Sequence, residues 1–321
     1  ATLVSFVDGF GVTIFVDAEA GADSNAGTEA APLATIQAAV DAVTYGGFVR
    51  LQNGTYTLDS TVTITKKMTI RGQGNLASAV PTTIDSVVVI APAAASAFLI
   101  SSADSIMSVE VQLIRFQGGD ATSIAITLGD SVSLATIEEN VFDLSTLGSG
   151  IVTNTVTDTA GIGANTSTAD VNYVTTINTN LFTKLSSGAT TEGSGIISAG
   201  AGQLNITGNE FGSDIGAVSD SAAGIVLKDR MNIGSSEAVT QTAITTNTFG
   251  DLVARGINVA GGAYTDTLRA LTSSNVYLSS GSYEDFAAEE KVMHKIDDGA
   301  SAIVRLADTD ASVLYVPSSS G

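Results

Sequence analysis

Ile137-Glu-Glu-Asn140-Val-Phe142 is the stretch of sequence that decides the fold, because the pattern Ile-x-x-Asn-x-Phe recurs along the chain. Its three strict copies are Ile177-Asn-Thr-Asn180-Leu-Phe182, Ile206-Thr-Gly-Asn209-Glu-Phe211 and Ile244-Thr-Thr-Asn247-Thr-Phe249. The steps between the Asn residues are 40, 29 and 38 residues. Self-similarity at a period of about 20 to 50 residues is typical of stacked repeat architectures. The sequence therefore predicts a solenoid.

The pattern extends in a weaker form beyond the strict copies. A looser copy runs from Leu271 to Tyr277, and residues 111–116 form a degenerate copy in which Ile114 stands where the Asn would be. After each strict Asn comes a second apolar segment that begins with Gly, as in Gly150-Ile-Val152 and Gly195-Ile-Ile197. We therefore predict at least two short strands in each turn of the coil.

Stacking of such turns places like residues on like residues, at a strand spacing of about 4.8 Å. Ile and Phe are expected inside the coil, and the Asn side chains are expected to form a ladder of amides at the bends. The variable step between repeats indicates loops of different lengths leaving the coil. The predicted ladder residues are Asn140, Asn180, Asn209, Asn247, Phe142, Phe182, Phe211 and Phe249.

The composition restricts the classes of partner. The chain has 321 residues, no cysteine and a formal net charge of −20, from 33 acidic and 13 basic residues. Without cysteine it has no disulfide and no thiolate metal site. Nucleic acid is not expected as a partner because phosphate contacts need Lys and Arg. A polyanionic substrate would also be repelled unless a local basic patch or divalent cations reversed the field.

Neither the interior nor the start of the sequence suggests a membrane span. No segment is long and apolar enough to cross a bilayer. The sequence begins at Ala1 and not at Met. We expect that a signal peptide was removed before Ala1, which implies a secreted or cell-surface protein; a truncated chain is the alternative.

The N-terminal region carries three short motifs. They are Val16-Asp17-Ala-Glu-Ala-Gly21-Ala-Asp23-Ser-Asn25-Ala-Gly27, Pro32-Leu-Ala-Thr35-Ile36-Gln37-Ala-Ala-Val40 and Gly54-Thr55-Tyr56. Thr35 can cap a helix near residues 33–44 whose apolar face contains Ile36, Ala39, Val40 and Val43. Such a helix would cover the open end of the coil and shield its first strand edge.

Together these motifs resemble the entry to the right-handed parallel β-helix of the pectin-lyase-like superfamily. The resemblance covers roughly residues 12–280 and implies the fold. It says little about activity, because the superfamily mixes lyases, hydrolases, adhesins, phage spikes and catalytically silent surface proteins.

We therefore predict an all-β protein, a right-handed parallel β-helix with a short N-terminal capping helix and a C-terminal cap plus extra strands. Residues 1–16 are predicted to be N-terminal strands and a candidate assembly segment, residues 17–280 the coil, and residues 281–321 the cap and terminal strands. A helical cap is expected near residues 282–294. The predicted assembly residues are Leu3, Phe6, Val12, Ile14, Val16, Val313 and Tyr315.

Catalytic residues are hard to find in this sequence. A pectate-lyase-type site needs Ca²⁺-binding acids beside an Arg or Lys base, and Lys228-Asp229-Arg230 is the one weak candidate. Its alternative interpretation is a solvated turn with an internal ion pair. Glycoside hydrolysis needs two converging carboxylates, and no motif of that kind is present. The single histidine, His294, excludes a multi-histidine metal site.

Two glycine-containing loops have other interpretations. Asp17, Glu19, Asp23 and Asn25 form an acidic loop that could bind Ca²⁺, since this ion takes oxygen ligands. A solvated turn is the alternative. The segment Arg71-Gly72-Gln73-Gly74 is too short for a phosphate loop, and we interpret it as a turn.

Three functions are compatible with these features. The favoured one is a secreted, non-catalytic structural protein of the cell surface or extracellular matrix that assembles with itself end to end into a fibre or layer. A pectate-lyase-like, polysaccharide-active enzyme is the first alternative. A carbohydrate-binding adhesin is the second, although the chain has no Trp and its seven Tyr are scattered.

Overall fold

The structure is a computed structural model. It describes residues 11–73, 86–101, 108–120, 122–129, 132, 134–153, 174–183, 194–198, 203–212, 224–228, 241–249, 257–260, 269–273, 276–277, 305–307 and 312–314. One short helix and many strands make up these residues. In chain order they are β1 (Thr13–Val16), α1 (Ile36–Ala42), β2 (Gly47–Leu51), β3 (Gly54–Thr57), β4 (Val62–Ile64), β5 (Met68–Gly72), β6 (Val87–Ala91), β7 (Ser96–Ile100), β8 (Ser108–Gln112), β9 (Arg115–Gly118), β10 (Ile124–Leu128), β11 (Leu134–Glu138), β12 (Val141–Asp143), β13 (Ser149–Thr153), β14 (Val174–Asn178), β15 (Leu181–Thr183), β16 (Ser194–Ser198), β17 (Gln203–Thr207), β18 (Glu210–Phe211), β19 (Ile225–Lys228), β20 (Gln241–Thr245), β21 (Thr248–Phe249), β22 (Ile257–Ala260), β23 (Arg269–Ser273), β24 (Val276–Tyr277), β25 (Arg305–Ala307) and β26 (Ser312–Leu314).

The strands form three sheets that run along one coil. Sheet 1 has the order β1-β2-β5-β8-β11-β14-β17-β20-β23-β25-β26, sheet 2 the order β22-β19-β16-β13-β10-β7-β4, and sheet 3 the order β24-β21-β18-β15-β12-β9-β6-β3. Successive strands such as β11, β12 and β13 belong to three different sheets, so they make one turn. Strand pairing is parallel, except that β25 and β26 pair antiparallel. The predicted parallel β-helix is confirmed.

The register stacks the repeat on itself as the sequence predicts. In sheet 1, Ile137 pairs with Ile177, which pairs with Ile206. In sheet 3, Phe142 pairs with Phe182, which pairs with Phe211. All of these side chains lie in one buried core that continues along the coil. The hydrophobic residues of neighbouring turns therefore stabilise each other along the axis.

The glycines that begin the second strands have a packing reason. A Cβ on Gly150 would lie 2.9 Å from a ring carbon of Phe182, and one on Gly195 would lie 2.8 Å from a ring carbon of Phe211. Each glycine therefore makes room for the phenylalanine of the following turn. This links two features of the repeat that look independent in the sequence.

Helix α1 closes the N-terminal end of the coil. Thr35 is its N-cap, and its hydroxyl accepts a hydrogen bond from the Ala38 amide. Ile36, Ala39 and Val40 are buried against the first strands. The predicted capping helix near residues 33–44 is therefore present, and the open apolar end of the first turn is covered.

The N-terminal boundary differs from the prediction. Strand β1 pairs with β2 and is the first strand of sheet 1, with Ile14 and Val16 buried in the core. Its outer edge is occupied within the chain, because the Phe15 amide donates to Gly27 O and the Leu33 amide donates to Phe15 O. Ile14 and Val16 are therefore part of the coil and not free strand residues. The coil includes β1 because its alternating apolar residues face inward, as in β2 and β5 of the same sheet.

Several predicted segments lie outside the described residues. They include Leu3 and Phe6, Tyr315 and the helical cap near residues 282–294. Val313 belongs to β26, which is described as a backbone strand. Val12 is described and is 47% exposed. In the part of the chain that the structure describes, no helix has the length and hydropathy needed to cross a membrane.

Candidate functional site

The four repeat asparagines are buried and bonded to one another along the axis. Asn140 donates through Nδ2 to Asn180 Oδ1 at 3.1 Å, Asn180 to Asn209 Oδ1 at 3.0 Å, and Asn209 to Asn247 Oδ1 at 3.0 Å. Each Oδ1 also accepts the backbone N–H of the preceding Asn, as in Asn140 N to Asn180 Oδ1 at 3.0 Å. The ladder thus satisfies buried backbone groups at the bend, which is a structural role.

The ladder begins where the repeat is degenerate. Ile114 occupies the Asn position of the preceding turn, and its amide donates to Asn140 Oδ1 at 3.1 Å. The residue before each ladder position has a left-handed backbone; these residues are Leu113, Glu139, Thr179, Gly208 and Thr246. Because unrelated residue types share this conformation, it belongs to the bend of the coil and does not mark a catalytic residue.

The phenylalanines form a second axial stack. The ring centroids of Phe142 and Phe182 are 4.7 Å apart, those of Phe182 and Phe211 4.8 Å, and those of Phe211 and Phe249 4.9 Å. Their planes are within 11° of parallel. These separations match the strand spacing of about 4.8 Å, so stacking follows from the register.

The acidic N-terminal loop uses its side chains to hold its own backbone. Asp17 Oδ1 accepts the amides of Glu19 and Ala20, both at 2.9 Å. Asp23 accepts the amides of Ala34 and Thr35 and the Thr35 hydroxyl, all at 2.9 Å. Burial acts to raise the pKa of Asp23, but the hydrogen bonds from Thr35 and Ala34 outweigh it and lower the pKa.

These bonds bear on the calcium prediction for Asp17, Glu19, Asp23 and Asn25. Asn25 Nδ2 donates to Pro32 O at 2.8 Å, so its amide oxygen is the part left for a ligand. Within the described ranges, no three His, Asp or Glu side chains are grouped so that they could hold a metal ion. Calcium binding by this loop stays a prediction.

The weak catalytic candidate is only partly described. Lys228 is the last residue of β19, in sheet 2, and Asp229 and Arg230 lie outside the described residues. The proposed catalytic role of these three residues therefore stays a prediction.

Several charged residues lie together on the outer face of sheet 1. The strand register places Phe15, Arg50, Arg71, Gln112 and Glu138 in one row across five neighbouring strands. We call these residues the charged row. Arg71 was expected in a turn, but it lies in β5 and points to the outer face between buried neighbours. The turn interpretation is wrong for Arg71 and Gly72, because Met68, Ile70 and Gly72 alternate inward as in a strand, whereas Gln73 follows the strand as a bend and Gly74 lies outside the described residues.

An amide joins the acidic residues of this face. Gln112 Nε2 donates to Glu110 Oε1 at 2.5 Å and also donates to Glu138 Oε1. The Thr69 hydroxyl donates to Glu110 Oε2 at 3.1 Å. The amide group of Gln112 therefore donates to two carboxylates from neighbouring turns and holds them close together, and as a neutral group it leaves their negative charge on the face.

Glu139 lies beside this group, at the bend. Burial and the neighbouring Glu138 carboxylate raise its pKa, Arg71 acts to lower it, and Glu110 adds to the increase. A carboxyl group with a raised pKa can act as a proton donor. This is the arrangement among the described residues that most resembles acid–base chemistry.

The outer face of sheet 3 holds a more complete ion pair. Arg115 Nη2 lies 3.1 Å from Asp143 Oδ2, and the side chains are 17% and 4% exposed. Asp143 Oδ1 also accepts the Ser145 amide and hydroxyl. Asp143 therefore joins two turns and a loop, which is a structural role.

Sequence reasoning did not identify the charged row. Its members are separated by between 21 and 41 residues along the chain, and the repeat pattern fixes only the buried positions. The sequence does contain one signal for this row. Each of its residues directly follows an inward-facing apolar residue, so the alternation of a strand places it on the outer face.

The fold is shared with known proteins, whereas the sequence is not. No protein-family model and no curated protein matches the chain. Among solved structures, the pectin methylesterase of Aspergillus niger is 12% identical, with a TM-score of 0.50 over 93% of this chain and 86% of that one. ORF18 of Geobacillus virus E2 is 14% identical, with a TM-score of 0.38 over 92% of this chain and 61% of that one.

A third similar structure is the GH136 lacto-N-biosidase from Eubacterium ramulus. It is 12% identical, with a TM-score of 0.38 over 92% of this chain and 67% of that one. At such identities the similarity concerns the fold alone. The chain shares the parallel β-helix fold of the pectin methylesterase, which is the fold that its N-terminal motifs implied.

Proposed function

We propose that the chain is a secreted, non-catalytic structural protein of a cell surface or extracellular matrix, which acts as a rigid rod and associates with copies of itself. The axial ladder of buried asparagines carries this proposal. Asn140, Asn180, Asn209 and Asn247 are each at most 1% exposed, and their amides bond the four turns that contain them to one another. A polar ladder of this kind adds directional bonds along the axis to the parallel sheets.

The polar side chains around the ladder support the same role. Asp23 holds α1 in place at the end of the coil, and Asp143 joins Arg115 of one turn to the loop of the next. Asp120 accepts amides from Ala94 and Thr122, which ties two neighbouring turns together. In each case a carboxylate is used to fix backbone geometry.

The form of the assembly is constrained by the closed N-terminal end. Because residues 27–33 and α1 cover β1, contacts at this end would use the outer surface of the cap. Strand addition is expected at the other end, where β26 is the last described strand of sheet 1. End-to-end growth therefore needs two unlike surfaces, which is the condition for a fibre.

A polysaccharide-active enzyme is the second candidate. The shared fold with a pectin methylesterase and the raised pKa of Glu139 favour it. In this alternative Glu139 is the proton donor, Glu138 is the second carboxyl group beside it, and the substrate is a polysaccharide lying across sheet 1. A carbohydrate-binding adhesin would use the same fold without turnover.

One experiment separates these functions. The purified chain is incubated with a panel of neutral and acidic polysaccharides, and chain cleavage and ester release are measured while assemblies are imaged by electron microscopy. We expect assemblies and no turnover. Turnover that is lost in Glu139→Gln and kept in Glu210→Gln, an exposed glutamate of sheet 3, would overturn the structural role. A monomer that binds a polysaccharide without turnover would favour the adhesin.

A further inference from the structure

The outer face of sheet 1 separates its charges into two halves. Arg50 and Arg71 are direct partners on β2 and β5, and both are exposed. Parallel strands lie about 4.8 Å apart, and like charges on directly opposite residues are destabilising. Among the residues that the structure describes, neither guanidinium forms an ion pair with a carboxylate. The basic half therefore places two positive charges side by side in a chain whose net charge is −20, and the carboxyl group that Arg71 is seen to influence, Glu139, lies at the bend.

The acidic half follows on the next two strands. Glu110 lies on β8 and Glu138 on β11, and both carboxylates are bound to Gln112. The order across the face is thus basic on β2 and β5 and acidic on β8 and β11. A plane between β5 and β8 divides it into halves of opposite sign.

This order makes the face complementary to itself. A two-fold axis parallel to the strands, placed between β5 and β8, reverses the order of strands and keeps the position along each strand. It sets β2 of one copy opposite β11 of the other, and β5 opposite β8. Because Arg50 and Glu138 belong to the same row, the axis brings them face to face, and it brings Arg71 onto Gln112 with Glu110 beside it.

We propose that two copies of the chain pack through this face as a two-fold dimer, with Arg50 and Arg71 of each copy against Glu110 and Glu138 of the other. In such an isologous contact one patch serves both sides. Arg50 of each copy then faces Glu138 of the other, and Arg71 faces Gln112 with Glu110 beside it. Phe48, which is 48% exposed on β2, adds apolar area and comes to lie over Thr136 of the second copy.

The size of the contact sets its strength. The overlap runs from β1 to β14, which is six strands. With strands about 4.8 Å apart and a rise of about 3.3 Å per residue, it measures about 29 Å by 16 Å, or roughly 460 Å² per copy. Stable complexes bury about 800 Å² per partner, so the dimer is weak, and its formation depends on concentration and on salt.

The inference deepens the proposed structural function and rests on it for the identity of the partner. A face-to-face contact of two rods is lateral, whereas the end contacts described above are axial. Lateral pairing closes after two copies, and axial addition continues. Together they would generate a double-stranded fibre.

Sedimentation equilibrium over a concentration series tests the proposal. We expect the wild-type mass to approach that of a dimer at low salt and to fall towards the monomer at high salt, since the Debye length shrinks from about 30 Å at 0.01 M to about 3 Å at 1 M. Arg50→Gln with Arg71→Gln should weaken dimerisation more than about tenfold. Thr55→Glu with Thr57→Glu is the matched control, because it changes the net charge equally on exposed residues of sheet 3.

A charge exchange makes the test specific for the pairing. Arg50→Glu with Arg71→Glu, and separately Glu110→Arg with Glu138→Arg, should each abolish self-association. Mixed in equal amounts, the two variants should restore a dimer of the wild-type affinity. Circular dichroism checks that each variant remains folded.

Two results would overturn the proposal: wild-type protein that stays monomeric at every concentration, or a mixture that fails to restore the dimer. Binding of polygalacturonate by the monomer that is lost in Arg50→Gln with Arg71→Gln would reassign the basic half to an anionic polysaccharide. Turnover of a polysaccharide would overturn the structural function and leave the dimer standing, so the two failures are distinguishable.

Discussion

The side chain of Asn180 is expected to contribute far more to stability than its size suggests. Its Nδ2 donates to Ile137 O at 2.8 Å, and its Oδ1 accepts the Asn140 amide at 3.0 Å. Asn180→Ala removes both partners while the groups stay buried. A buried backbone group left without a hydrogen bond costs about 1–3 kcal/mol, so we expect a loss of about 2–6 kcal/mol in the free energy of unfolding.

The matched control is Asn178→Ala. Asn178 has the same side chain, lies two positions earlier on the outer face and is only half-buried; it bonds locally to the Thr179 hydroxyl. Its removal should cost less than about 0.5 kcal/mol, as surface substitutions usually do.

Urea denaturation followed by circular dichroism measures both variants. Hydrogen exchange of the turns around residues 137–142 shows whether the loss is local, as expected in a chain of nearest-neighbour contacts. Equal unfolding free energies for the two variants would refute the reasoning, since they would show that the ladder is no better than a solvated amide.

Three further predictions concern other contacts of the coil. Phe182→Ala should destabilise the protein by about 3–5 kcal/mol, because it opens a cavity between two stacked rings, whereas Leu181→Ala on the half-buried outer side should cost clearly less in the same urea assay. Tyr56→Phe should cost about 1–3 kcal/mol, since the single hydroxyl hydrogen of Tyr56 is shared between Val16 O and Gln52 O, both 2.9 Å from the hydroxyl oxygen; thermal unfolding at fixed pH measures it. Hydrogen bonds from Ala94 and Thr122 lower the pKa of Asp120 to about 2, so its contribution is present above the unfolded pKa of about 3.9 and is lost as the pH falls from there towards 2. Asp120→Asn should remove this part of the acid dependence in a pH series of urea titrations; an unchanged acid dependence would contradict it.

The buried positions of the coil could be predicted from the sequence because their pattern recurs from turn to turn. Ile137 and Phe142 recur with the same spacing to Asn140, and the structure stacks them in register. The capping helix was accessible for a local reason, namely that Thr35 precedes an apolar periodic segment. Each of these two signals is contained in a short segment of sequence.

The end of the coil was harder to place. The sequence suggested that Val12 to Val16 stood outside the coil, because no Ile-x-x-Asn-x-Phe copy accompanies them. Strand β1 joins sheet 1 by pairing with β2, more than 30 residues further along the chain, and residues 27–33 then cover its edge. Such a pairing depends on the whole first turn and is not encoded in a short motif.

The charged row shows why the outer face is still less predictable. An outward residue is free to vary as far as the core is concerned, so its identity depends on whatever contacts that face. Arg50 and Arg71 are side by side, although a repeat protein could separate them at no cost to its core. Two like charges on neighbouring strands repel each other, and a partner of opposite charge on the face would relieve this repulsion. Glu110 and Glu138 are likewise two like charges on neighbouring strands, and the side-chain amide of Gln112 donates to both. A single partner that satisfies both halves at once must itself be basic at one end and acidic at the other, and the outer face of sheet 1 in a second copy has this property.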